Sequence, residues 1–70
     1  MSFYEWVNTL EPLNTPEGDL VEDIQRDSNF PVEIDSWVAL STYLPDDDLI
    51  QEPAKNLFDA YLEQTQHHTE

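Results

Sequence analysis

The chain has no cysteine, one glycine, and only Arg26 and Lys55 as basic residues among its seventy positions. The missing cysteine removes disulfides, thiolate metal sites and cysteine nucleophiles together. It also fits a reducing interior, so a cytoplasmic location is expected. With two cations there is no basic surface to hold a nucleic-acid backbone or an anionic membrane, and direct binding to either is not expected. One glycine cannot build a glycine-rich phosphate loop or a flexible linker. No stretch joins a basic start to the apolar core of a signal peptide, and no apolar run approaches the roughly 20 residues of a membrane span. A soluble protein is expected.

Acid is what the chain has in quantity: sixteen Asp and Glu, for a formal net charge of -14. Such a chain is repelled by phosphate backbones and drawn to basic protein surfaces. A hydrophobic content of 39% and an aromatic content of 11% argue for a folded chain rather than a disordered one. Seventy residues make one core, which uses nearly all the large apolar side chains and leaves little for a deep pocket.

Ser2 with Glu5 three residues on is a capping-box pattern, and Phe3, Trp6, Val7 and Leu10 repeat at helical spacing, which predicts a first helix from Phe3 to Leu10. Pro12 stops it, and Thr15–Pro16 is the cap-then-first-position signal of a second helix. There Leu20, Val21 and Ile24 form the inward stripe, while Asp19, Glu22, Asp23 and Asp27 take the other face. Asp19, Asp23 and Asp27 are spaced by four, a near-axial row rising about 6 Å per step on a helix. Glu22 is placed to pair with Arg26 one turn later, which leaves the row without a local cation. Phe30, Val32 and Ile34 alternate with Pro31 and Glu33, as in an extended connector with three inward apolar residues.

Asp35 or Ser36 caps a third helix with Trp37, Leu40, Ser41 and Leu44 on one face, ended by Pro45. Asp46, Asp47 and Asp48 suit the positive end of a fourth helix. In that helix Ala54, Leu57, Phe58, Tyr61 and Leu62 form the clearest amphipathic pattern in the chain. Pro53 is expected in its first turn or at a kink, with Leu49 to Gln51 as a separate short turn. From Gln64 onward the sequence is polar and is expected to fray. The expected architecture is all-α, a compact bundle of four to five short helices forming one domain over residues 1–64, with 65–70 as a frayed tail.

None of the many carboxylates is tied to a buried histidine or a phosphate loop, so no enzymatic activity, catalytic residue or cofactor is expected. Ser2, Ser28, Ser36 and Ser41 read as caps, turns and a helix-surface residue. His67 and His68 are adjacent, do not share a helix face, and lack zinc-site spacing. The Asp46–Asp48 run lacks the spaced ligands, central glycine and closing glutamate of a calcium loop, so no metal site is expected. Trp6, Trp37, Phe58 and Tyr61 sit on apolar stripes and are assigned to the core, while Tyr4 or Tyr43 is free to serve as an aromatic anchor at an interface.

Five stretches now carry a resemblance: SFYEW at Ser2–Trp6, PEGDLVEDI at Pro16–Ile24, RDSNFP at Arg26–Pro31, the W-x-x-L-x-x-Y-L pattern at Trp37–Leu44, and LFDAYLEQ near the end. In this order they resemble the small bacterial YozE-like family, which implies a helical bundle of the sterile-alpha-motif kind, with no catalytic residues and no cofactor. The chain departs from that family in its scarcity of basic residues and in its PDDD run.

The uncompensated charge supports two functional expectations. In the first, the protein is a DNA-mimic inhibitor, of the kind phages and mobile elements direct at host enzymes. Its carboxylates then occupy the basic surface of a nucleic-acid-binding protein. Asp19, Glu22, Asp23 and Asp27 lead, followed by Asp46, Asp47 and Asp48, with Glu11 and Glu17 flanking. In the second, it is a generic interaction or self-association domain whose acidity only aids solubility.

Overall fold

The computed structural model describes residues 1–65. They form four helices: α1 (Phe3–Val7), α2 (Pro16–Arg26), α3 (Trp37–Tyr43) and α4 (Asp48–Thr65). No strand occurs among the described residues. The long α4 is the spine and packs against each of the other three, while α1 also rests on α2.

Each helix begins where its cap residue stands. The Ser2 hydroxyl accepts the Glu5 N–H and the Glu5 carboxylate accepts the Ser2 N–H, both at 3.1 Å, completing the capping box. Thr15 accepts the Gly18 N–H at 2.9 Å with Pro16 in the first helical position. Ser36, rather than Asp35, caps α3 through the Ala39 N–H.

Helix α1 ends at Val7, three residues earlier than its spacing predicts. Its last carbonyls are shared between two tight turns, the Thr9 N–H on Trp6 and the Leu10 N–H on Val7, both at 3.0 Å, and side chains. Asn8 donates to the Tyr4 carbonyl and Thr9 to that of Trp6, and Gln25 reaches from α2 to the carbonyls of Val7 and Leu10.

The core is built around Phe3, which is fully buried and lies within 5.4 Å, centroid to centroid, of both Phe58 and Tyr61. Leu20, Val21 and Ile24 of α2 and Ala54, Leu57, Phe58 and Tyr61 of α4 are buried as their spacing implies. Trp37 is only half-buried: its ring packs against Phe58, and the Lys55 ammonium lies 5.9 Å from its centroid.

Three expectations of local structure are corrected. The Phe30–Ile34 connector is not extended. A turn closed by the Ile34 N–H on the Pro31 carbonyl brings Phe30 and Ile34 inward and turns Val32 out, 55% exposed. Pro53 lies inside a continuous α4 that already begins at Asp48, so no separate turn precedes it. Proline has no N–H for the Leu49 carbonyl, but one lost bond near a helix start is offset by burying the ring. Gln64 and Thr65 are helical rather than frayed, and the Gln64 side chain accepts the Trp6 indole N–H at 3.2 Å. The tail assigned to 65–70, with His67 and His68, otherwise lies outside the described residues.

Gly18 sets how closely the α1–α2 connection crosses α2. A Cβ built there would stand 1.8 Å from the Leu13 carbonyl oxygen, which is backbone and cannot swing aside. Gly18→Ala is therefore expected to destabilise the fold by about 3 kcal/mol or more, despite the helix propensity it adds. Chemical denaturation of the variant checks this.

Candidate partner-binding surface

Helix α2 turns its apolar stripe to α1 and α4 and leaves its acids at the surface. Asp19 and Asp23 are exposed, one turn apart, as their spacing requires. Asp27 does not continue the helical row. It is the C-cap, with φ -86° and ψ 99°, so the chain has left the helix at that residue. Its carboxylate accepts the Asn29 N–H at 2.9 Å and the Tyr43 hydroxyl, which ties the end of α2 to the end of α3.

The three aspartates nevertheless border one feature. A shallow cleft of about 250 Å³ between α2 and the start of α4 is lined by Pro16, Asp19, Leu20, Asp23, Leu49, Ile50 and Pro53. A second, of about 140 Å³, shares Leu20, Asp23 and Ile50 and continues past Ile24 and Asp27 to Phe30, Tyr43, Leu44 and Pro45. Together they make a groove along α2, with an apolar floor and aspartates on one lip. Pro45 and Leu49, on the opposite wall, bracket Asp46–Asp48 in the chain.

The other acids divide between local structure and other surfaces. Glu22 pairs with Arg26 at 2.8 Å as expected, and borders neither cleft. Asp47 caps α4: its carboxylate accepts the Leu49 N–H, and its carbonyl accepts from Ile50 and Gln51. Asp48 occupies the first turn, where negative charge suits the helix dipole, and Asp46 is exposed beside them. Glu11 and Glu17 are not part of the groove. They border a separate depression with Leu10, Leu13 and Val21, and Glu17 accepts the Asn56 side-chain N–H at 2.9 Å, pinning α2 to α4.

Both cations of the chain are spent locally, Arg26 on Glu22 and Lys55 on Asp59 at 2.9 Å. Among the described residues no charged side chain is buried, and no cluster of His, Asp or Glu is arranged to hold a metal. No described helix is long and apolar enough to cross a membrane.

Sequence reasoning missed Leu49, which is 83% exposed on the wall of the groove. The signal was present: Leu49, Pro53 and Leu57 stand four residues apart on one stripe of α4, so the stripe runs on past the core it covers.

The fold is that of a small all-α domain of the sterile-alpha-motif-like kind. The chain belongs to the family described as YozE SAM-like fold, whose model matches residues 2–67. That membership suggests a small domain of the protein-interaction type and not a known enzyme family. No curated protein and no solved structure matches the chain significantly.

Two titrations report on the local bonds. The hydrogen bond to Asp27 holds the Tyr43 phenol above its ordinary value, helped by partial desolvation and by the charge of Asp27. A raised folded-state pKa contributes stability that is present below the unfolded tyrosine value and lost as pH rises through the folded one. Asp27→Asn should return the Tyr43 pKa toward about 10, read by ultraviolet absorption in an alkaline titration. Glu17 is shifted the other way, downward, first by the Asn56 side chain and then by its own backbone N–H. Its contribution is present above the unfolded glutamate value and lost as pH falls through the folded one. Asn56→Ala should raise the Glu17 pKa toward the ordinary glutamate range, followed through the side-chain carboxyl carbon by NMR.

Proposed function

We propose that this chain is a non-catalytic protein-binding domain whose acid surface engages a basic partner. In the most specific form of the proposal it is a DNA-mimic inhibitor, and the partner is a nucleic-acid-binding protein whose phosphate-binding surface it occupies. One observation carries the proposal: Asp19, Asp23 and Asp27 lie along a single groove while both cations of the chain are held by Glu22 and Asp59. A surface of this kind has its electrostatic complement outside the molecule.

The non-catalytic part is supported by membership of a family that is not a known enzyme family. Self-association through the acid surface is the competing account. Two chains of formal charge -14 repel each other, and the Arg26 and Lys55 side chains of each are already held in local pairs.

The mimic form adds a demand that the general form does not. A surface standing in for a phosphate backbone competes with that backbone for the same basic side chains. The test uses the purified chain against a panel of basic DNA-binding proteins, by titration across a series of salt concentrations, with and without duplex DNA. The expected result is binding that falls steeply with ionic strength and is displaced by duplex. Binding that ignores duplex removes the mimic form, and binding that ignores salt removes the acid surface as its basis.

A further inference from the structure

The groove between α2 and the corner joining α3 to α4 is where the acid face meets apolar surface left uncovered by the fold. Leu20 and Ile50 belong to both of its halves, and Asp19 and Asp23 stand on its α2 lip. On the facing wall Leu49 continues the buried stripe of α4 but remains 83% exposed. A large aliphatic side chain in that position has packing capacity that the described residues do not use.

Resting on the proposal that the acid surface takes a basic partner, we infer that this groove seats a basic amphipathic helix. Apolar residues from one face of that helix pack on Leu49, Ile50 and Leu20. Its Lys or Arg residues, at the margin of the same face, meet Asp19 and Asp23. The spacing of the lip favours this occupant. Asp19 and Asp23 are one turn apart, a rise of about 6 Å, and a helix lying alongside α2 presents cations four residues apart at the same interval. From Pro16 to Asp27 the lip spans about 16 Å, the length of a three-turn helix.

Charge excludes the other occupants. A second copy of this chain has Arg26 and Lys55 already held by Glu22 and Asp59, and would bring its own excess of acid. A nucleic acid has the wrong sign. An uncharged apolar segment would cover the groove floor while leaving the aspartates without a partner beside newly dried surface.

The experiment uses two labelled peptides of about 15 residues built from Leu and Lys, one with the leucines at helical spacing and one with the same composition scrambled so that no face is apolar. Fluorescence anisotropy measures binding to the full chain and to its variants. The amphipathic peptide is expected to bind about tenfold more tightly than the scrambled one, and Leu49→Ser to remove most of that advantage without changing the scrambled peptide's affinity. Asp19→Asn with Asp23→Asn should weaken both peptides about fivefold at low salt. Leu49 is exposed, so its replacement leaves the core intact, and circular dichroism of each variant confirms the fold.

Equal binding of the two peptides, indifferent to Leu49→Ser, overturns the groove and leaves the acid surface standing as the binding face. Amphipathic binding that is unchanged by salt and by the paired Asn substitutions overturns the basic character of the occupant. If neither peptide binds at low salt, the groove and the acid-surface proposal fall together.

Discussion

The structure depends on the burial of Phe3. A helix of five residues has too few backbone bonds to stand alone, so α1 is held by what its side chains touch rather than by its own hydrogen bonds. Phe3 reaches Phe58 and Tyr61 on α4 and Phe30 in the connector that follows α2, and thereby joins the beginning, middle and end of the chain in one aromatic cluster. Aromatic pairs of this kind contribute about 0.5–1.5 kcal/mol each beyond the area they bury. The cluster also positions the outer wall of the groove. Phe30 stacks on Tyr4 on one side and meets Tyr43 edge-on on the other, and Tyr43 in turn holds Asp27.

Against this neutral core, the acids work at two levels. Some are structural parts: Asp27 joins the ends of α2 and α3, Glu17 joins α2 to α4, Asp47 caps α4 and Glu5 completes the cap of α1. These uses explain individual carboxylates but not their excess, because a capping or bridging acid does not require the near absence of cations elsewhere. Like charges at one-turn spacing cost a helix a few tenths of a kcal/mol per pair. A domain this small carries that cost on a modest core, and three of its sixteen acids, Asp19, Asp23 and Asp27, border the groove along α2.

Most of the fold was legible because its signals are local. The capping box at Ser2 and Glu5, the Thr15–Pro16 start and the stripe from Ala54 to Tyr61 each depend on residues within a turn or two of one another. The failures lie where a distant partner decides. Helix α1 stops at Val7, whose carbonyl is shared with Gln25, eighteen residues on. Val32 points outward because a turn starting at Pro31 overrides a two-residue alternation that reads as an extended segment. Trp37 stays half-buried because α3 offers Leu40, not the whole helix, to the core. The candidate surface was legible only as a list of carboxylates. Spacing placed Asp19 and Asp23 together, but only the tertiary structure removed Asp27 from the helix while keeping it on the same groove, and set Glu11 and Glu17 elsewhere.

Pro53 links the architecture to the surface. Buried inside α4, its ring lines the groove below Leu49. A residue with an N–H at that position would bond the Leu49 carbonyl, whereas proline leaves this carbonyl without its intrahelical donor in the turn that carries the exposed leucine. The start of α4 also has ties beyond its own backbone bonds. Asp47 caps it, and Gln51 donates to the carbonyls of Ser41 and Pro45 at 3.1 and 2.9 Å. The wall opposite the aspartate lip is therefore fastened to the end of α3 by side chains. Helix α2, the other wall, is fastened to the body of α4 through Leu20, Val21 and the Glu17–Asn56 bond. The two walls are thus tied at different places, one to the end of α3 and the other to the body of α4, and the apolar groove lies between them.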